Sequence, residues 1–272
     1  MSNKNKSHRE RATRPLILIT NDDGYTASGI RDLAHAVSAL ADVVVVAPDG
    51  ARSGAACAIT PTVPVSFAGP YTGMSLHGET VYSCSGTPVD CVKLALEQIV
   101  TRTPDLIISG INHGDNASVS CHYSGTMGAV LEGCMKGIPS IGFSLWLQRG
   151  CPYEKEAAGN DVLEAIRQLC HQVMTHGLPV DVCLNVNLPS ISSFKGWQVC
   201  RQARGRWSAE WASAGNPHVS GRYFWLTGRF TDLEPEAADT DFAALRAGYG
   251  SIVPVTIDMT AHTAISTIQN LI

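Results

Sequence analysis

No apolar run in this 272-residue chain reaches the about 18 residues that a membrane-spanning helix needs. Charge is also scarce: 16% of residues are charged and the net charge is −4, so there is no basic footprint for a nucleic-acid polymer. A small phosphorylated molecule needs only a local positive site, which a bound metal ion can supply. None of the nine cysteines are separated by the two-residue gap of zinc knuckles and thioredoxin-type motifs, and their number is odd. Many stand in apolar company, where Cys behaves as a small hydrophobe. Residues 1–14 are polar and basic with no apolar stretch behind them, unlike a secretory signal. These features lead us to expect a disordered tail over 1–14, a cytoplasmic protein and no membrane partner. The GxxxxGK[ST], GxGxxG and HExxH patterns are all absent, which argues against an NTPase, a dinucleotide enzyme and an HExxH metalloprotease.

Hydrophobic residues make up 44% of the chain, enough for a sizeable core. Leu16-Ile17-Leu18-Ile19 and Val43-Val44-Val45-Val46 are short branched runs bounded by turn residues, as expected of buried parallel strands. Between them Ile30, Leu33, Ala34, Val37 and Leu40 recur at helical spacing, completing a strand-helix-strand unit. A hairpin-like stretch follows over 58–84. Thr87, Pro88 and Asp90 then form a cap, a first-turn proline and a first-turn carboxylate for a helix reaching about residue 100. Further strands are predicted at 106–109, 141–145 and 183–186, with helices over 124–136 and 154–176. The fold class is therefore α/β, a Rossmann-like doubly wound and mostly parallel sheet over 15–190. From 191 to 272 tryptophans and tyrosines sit among Gly, Arg and Ser, predicting a β-rich C-terminal extension used in subunit contacts. That extension is expected to hold a short helix at 240–246, a strand at 251–257 and a terminal helix at 264–271.

Ligands of open α/β sheets bind beyond the carboxyl ends of the strands. Three such ends carry Asn21-Asp22-Asp23-Gly24, Pro48-Asp49-Gly50-Ala51-Arg52-Ser53-Gly54 and Ser109-Gly110-Ile111-Asn112-His113-Gly114. Two adjacent carboxylates at a buried strand end are costly unless something positive lies between them. A hard divalent cation is the usual solution, and Ser and Asn oxygens can complete its shell. The competing use of Asp22 and Asp23 is a plain turn that caps the next helix. Tyr123-Ser124-Gly125-Thr126 opens a helix whose first N–H groups attract anions, with plain capping again the alternative. Together the two elements would provide a Lewis acid and a phosphate cradle. His113 and His122 flank this region as candidate general acids, against solvated or structural roles. Asp258 and His262 read as a helix-entry or interface pair.

These blocks, in this order, resemble the SurE survival-protein family of metal-dependent nucleotidases. The resemblance rests on residues 17–24, Val46-Ala47-Pro48-Asp49, Arg52-Ser53-Gly54 and Ser85-Gly86-Thr87-Pro88, with 104–112 and Tyr123-Ser124-Gly125-Thr126. It continues through Asn185-Val186-Asn187-Leu188-Pro189, Thr240-Asp241-Phe242 and Thr260-Ala261-His262. It implies one divalent cation per subunit, Mg²⁺ or Mn²⁺, held by Asp22, Asp23, Ser53 and Asn112. From the residues themselves, Asp22 or Asp23 is expected to orient or deprotonate the attacking water, and Ser124, Gly125 and Thr126 at the helix start to bind phosphate. The resemblance further implies nucleoside 5′- and 3′-monophosphates as substrates, with short polyphosphate for some members. A homodimer or homotetramer that exchanges its C-terminal extension is implied as well. The stretch 117–122 departs from the glycine- and aspartate-rich segment usual in the family, which points to altered substrate choice. A metal-dependent glycosyltransferase and a non-catalytic nucleotide-binding stress module are the rival readings.

Overall fold

A computed structural model describes residues 14–75, 77–147, 159–189, 194–215 and 221–272. The tail expected over 1–14 lies, except for Arg14, outside the described residues, as does the start of the helix expected from 154.

The chain folds as β1 (Leu16–Thr20), α1 (Ser28–Val37), β2 (Asp42–Pro48), β3 (Phe67–Ala68), β4 (Thr80–Cys84), α2 (Pro88–Leu94) and β5 (Leu106–His113). There follow a 3₁₀ turn (Ser118–Tyr123), α3 (Gly125–Met135), β6 (Ser140–Leu145), α4 (Asn160–His176) and β7 (Val182–Leu188). The remainder comprises β8 (Trp197–Val199), β9 (Gly205–Ser208), β10 (Trp211–Ala214), β11 (Tyr223–Leu226), β12 (Arg229–Asp232), α5 (Asp241–Arg246), β13 (Gly250–Thr256) and α6 (Ile265–Gln269).

The main sheet runs in the order β3-β4-β2-β1-β5-β6-β7-β13-β8. Strands β4 through β7 pair in parallel, which is the doubly wound pattern with its order reversing beside β1. Alternation along each strand feeds two cores. Ile17 and Ile19 of β1 join Ile30 and Leu33 of α1 and Ile166 and Cys170 of α4 on one face. Leu18 points the other way, into the layer of Cys91 and Val92 from α2 and Ala129 from α3. Each such fully buried Leu or Ile contributes about 1.5–3 kcal/mol through removal of apolar area from water.

Local chemistry explains where the elements start. Thr87 accepts a hydrogen bond from Asp90 N while the Asp90 carboxylate accepts from Thr87 N, a reciprocal capping box with Pro88 in the first turn. The helix expected to reach residue 100 is α-helical only to Leu94; Ala95–Ile99 is a π-helical turn, closed by Val100 N donating to Ala95 O. The stretch expected to be hairpin-like over 58–84 forms, among the described residues, a two-residue antiparallel pairing of β3 with β4. Strand β4 instead pairs in parallel with β2, so it is a member of the main sheet.

Beyond residue 191, β13 lies antiparallel to β7 and β8 parallel to β13, extending the main sheet. The ribbons β9–β12 and β10–β11 stand outside it as antiparallel pairs.

Candidate active site

The sheet order reverses between β1 and β5, and the loops that leave these two strands form the site. The Asn21 side chain clamps the first loop: its Nδ2 donates to Gly24 O at 3.0 Å and its Oδ1 accepts from Gly24 N at 3.1 Å. That turn presents Asp22 and Asp23 side by side. Asp22 is 4% exposed. Its Oδ1 accepts from Thr126 Oγ1 at 2.6 Å, and the Gly125 N–H also donates to its carboxylate. The start of α3 is therefore folded onto an anion. Gly125 has no Cβ for a packing reason: one placed there would lie 2.9 Å from Asp22 Cβ and 3.1 Å from its Oδ2. Asp23 is tied to the neighbouring strand, its Oδ2 accepting from His113 N at 3.1 Å, with His113 Nδ1 3.8 Å away.

Burial pushes the Asp22 carboxyl up to about 6, the Thr126 hydrogen bond opposing and the Asp23 charge adding to the shift. Burial also raises Asp23, against the pull of His113.

Asn112 sits where β5 breaks register against β6. Its Nδ2 donates to Gly114 O at 2.8 Å, which occupies the donor end of the amide and leaves the carbonyl oxygen as the end able to ligate. Gly110 makes this irregularity possible. Its φ is +128°, and a Cβ would fall 2.2 Å from Phe143 O. Ser53 is exposed on the loop after β2. Arg52 N donates to Asp22 O at 2.7 Å, fixing that loop one residue away from Ser53, and Ala56 N donates to Tyr123 O at 3.2 Å.

No group of three or more His, Cys, Asp and Glu able to hold a metal is present among the described residues. A set of two carboxylates plus Ser and Asn oxygens is a different kind of centre, made wholly of hard oxygen donors. A buried Asp22 whose proton affinity is raised by burial and by the neighbouring, half-buried Asp23 carboxylate is an arrangement a divalent cation would relieve, so the residues fit such an ion.

Ser124 serves as the N-cap of α3, its Oγ accepting from Met127 N at 3.0 Å. His122 is exposed, with its Nε2 3.5 Å from Gln202 Nε2. His262 Nε2 and Asp258 Oδ2 lie 2.6 Å apart on the exposed C-terminal segment, and the hydrogen bonds from Thr260 followed by that of His262 hold Asp258 down at about 2.

Two supports escaped notice as roles in the sequence, although their residues stood in recognisable blocks. Asp241 is fully buried: its Oδ2 accepts from Ser118 N at 2.7 Å, and its Oδ1 from Ala203 N at 3.0 Å and Phe242 N at 2.8 Å. It pins the turn that precedes α3 to the C-terminal extension. Ser118, within the 117–122 stretch that departs from the family pattern, is buried and donates to Ala203 O at 2.8 Å. The second support is a buried amide network. Asn187 Oδ1 accepts from Asn116 N at 2.7 Å, and Asn185 Nδ2 donates to Asn116 O at 2.8 Å, seating the loop after β5 on β7.

A family model described as Survival protein SurE matches residues 17–209. The chain belongs to the SurE family. A protein of Phocaeicola vulgatus named 5′-nucleotidase SurE is 49% identical over 257 residues, covering 94% of this chain and 96% of that one. Another of the same name from Bacteroides fragilis is 47% identical over 249 residues, covering 92% and 94%. The crystal structure of the SurE protein from Aquifex aeolicus superposes with a TM-score of 0.74 at 32% identity, covering 94% of this chain and 99% of that one. The likeness extends past the parallel core, so the SurE fold includes the stretch beyond residue 191.

Proposed function

We propose that this SurE chain is a divalent-metal-dependent 5′-nucleotidase, hydrolysing nucleoside 5′-monophosphates to nucleoside and inorganic phosphate. The reading rests chiefly on the adjacent carboxylates at the sheet's switch point, Asp22 buried against a helix N-terminus and Asp23 beside it, in a chain nearly half identical to proteins named 5′-nucleotidase SurE. Nucleoside 3′-monophosphates and short polyphosphate are proposed as further substrates.

One cation, Mg²⁺ or Mn²⁺, would be held by Asp22, Asp23, Ser53 and Asn112. When bound it supplies Lewis-acid stabilisation of the negative charge on the phosphate oxygens. The chain's own residues do the rest. Ser124, Gly125 and Thr126 at the start of α3 are the proposed phosphate-binding residues; the Gly125 N–H and the Thr126 hydroxyl are held by Asp22, so the Ser124 hydroxyl proton and the positive end of the helix face the phosphoryl group. Asp22 or Asp23 orients the attacking water and takes its proton. Thr126 and His113 N fix the two carboxylates, so the water is met by groups already in position. We further propose that the chain works as a homodimer or homotetramer joined through the region after residue 191.

A phosphate-release panel tests the reading. Nucleoside 5′-monophosphates should release phosphate in the presence of Mg²⁺ or Mn²⁺. Transfer of sugar from a sugar nucleotide, with no phosphate release from AMP, would replace nucleotidase by glycosyltransferase.

A further inference from the structure

A cavity of about 980 Å³ opens beside the start of α3, between the core and the β9–β12 ribbon. It is at the upper end of the ~300–1,000 Å³ usual for small-molecule sites. From the core its wall includes Ser120 and Tyr123, the latter the residue before Ser124; from the extension it includes Trp207, Glu210, Thr227 and Phe230. We propose that this cavity is the nucleoside subsite and that Trp207 is the surface on which the substrate's base stacks. This rests on the phosphate position given under Proposed function.

Trp207 is built as a fixed platform. Its ring meets Phe230 edge-on, with centroids 5.6 Å apart at 67°, and Phe230 in turn packs against Phe242 at 5.0 Å. Phe242 and Ala117 belong to a small buried cluster with Ala203 and Leu245. The ribbon ring is thus anchored, through a second ring, in the same packing that carries the turn before α3. Two glycines keep space for the rings. A Cβ at Gly228 would fall 2.9 Å from Trp207 Cε3, and one at Gly205 would fall 2.3 Å from Phe230 Cζ. Trp207 nevertheless remains 37% exposed, so part of the anchored ring is open to the cavity it lines.

The chemistry selects the occupant. A phosphate received at Ser124–Thr126 would leave its nucleoside directed past Tyr123, where the cavity begins. An aromatic face with a few polar groups beside it matches a base and its sugar. Stacking uses the π-face that every base has, so the subsite accepts all bases and favours purines, whose larger rings cover more of the indole.

Steady-state phosphate release with AMP and with ribose 5-phosphate, which has the same sugar phosphate and no base, tests the assignment. In the wild type, KM for AMP should be about ten-fold below that for ribose 5-phosphate. Trp207→Ala should close that gap with kcat little changed, and Trp207→Phe should keep most of it. Adenosine alone should quench wild-type tryptophan fluorescence, and Trp207→Phe should remove the quenched fraction. An unchanged KM gap in Trp207→Ala, or equal losses on both substrates in both variants, would overturn the assignment. Were the wild type to release phosphate from neither compound, the nucleotidase reading would fail. The adenosine titration would then decide the subsite alone, quenching that depends on Trp207 supporting it and no quenching overturning it.

Discussion

Asp22 and Asp23, the proposed catalytic carboxylates, lie buried and half-buried with no Lys or Arg side chain paired to either among the described residues. Replacing either by Asn keeps the shape and removes the charge that would hold a hard cation. Asp22→Asn and Asp23→Asn should fold normally by circular dichroism and lose at least about 100-fold in metal-dependent phosphate release. Near-normal turnover in either folded variant would remove these residues from the metal assignment. The Asp22 shift also gives a stability prediction. Its folded-state value of about 6 lies above the unfolded 3.8, so folding favours the protonated form. The metal-free protein therefore has this contribution in full below pH 3.8 and loses it as the pH rises through about 6, by on the order of 3 kcal/mol. Chemical denaturation of the metal-free protein at several pH values should show that slope, and Asp22→Asn should flatten it. Added Mg²⁺ or Mn²⁺ should stabilise more at pH 7 than at pH 5, where it competes with the proton.

The sequence singles out these residues only in combination, since an acidic turn after a strand is common and it is the helix start at Ser124 and the family blocks around both that add weight to the pair. It did not reveal Thr126 as the partner of Asp22, since the two are 104 residues apart and both uses of a first-turn threonine read alike. Nor did it reveal that Ser118 is buried. That depends on Asp241, whose carboxylate reaches across 123 residues to the turn.

Among the elements, β5 matters most for the site because it must leave the sheet register to present Asn112 and His113. Gly110 is the residue that allows this. Gly110→Ala should cost about 2–4 kcal/mol, from the left-handed φ and the collision with Phe143 O. Urea denaturation would measure that loss, and a loss below 0.5 kcal/mol would show that the irregularity relaxes easily. The helix starts were legible in the sequence, since Thr87, Pro88 and Asp90 form a local capping box that needs no distant partner. The strand pairing of the 58–84 stretch was not. Thr80–Cys84 looks locally like half of a hairpin, and only its parallel docking on β2 gives it a place in the main sheet.

At the scale of the whole molecule, the β10–β11 ribbon is a two-stranded pair carrying Trp211, Phe224, Trp225 and Leu226, each more than half exposed. An isolated ribbon of that length is marginal in water, and large apolar side chains exposed on both of its faces call for a partner surface. Light scattering at micromolar concentration should report at least twice the chain mass, and a stable monomer would contradict the proposed assembly. No helix among the described residues is long and apolar enough to cross a membrane. The aromatic richness of 191–272 was plain in the sequence. The division of labour within it was not, because β8 and β13 extend the main sheet while β9 and β12 close a cavity beside α3. Phosphate release from AMP by metal-stripped protein shows whether metal, carboxylates and nucleotide act in one reaction. Release should cease after EDTA treatment and dialysis and return with Mg²⁺ or Mn²⁺; undiminished release from the stripped protein, or none with any divalent cation, would rule the proposed reaction out.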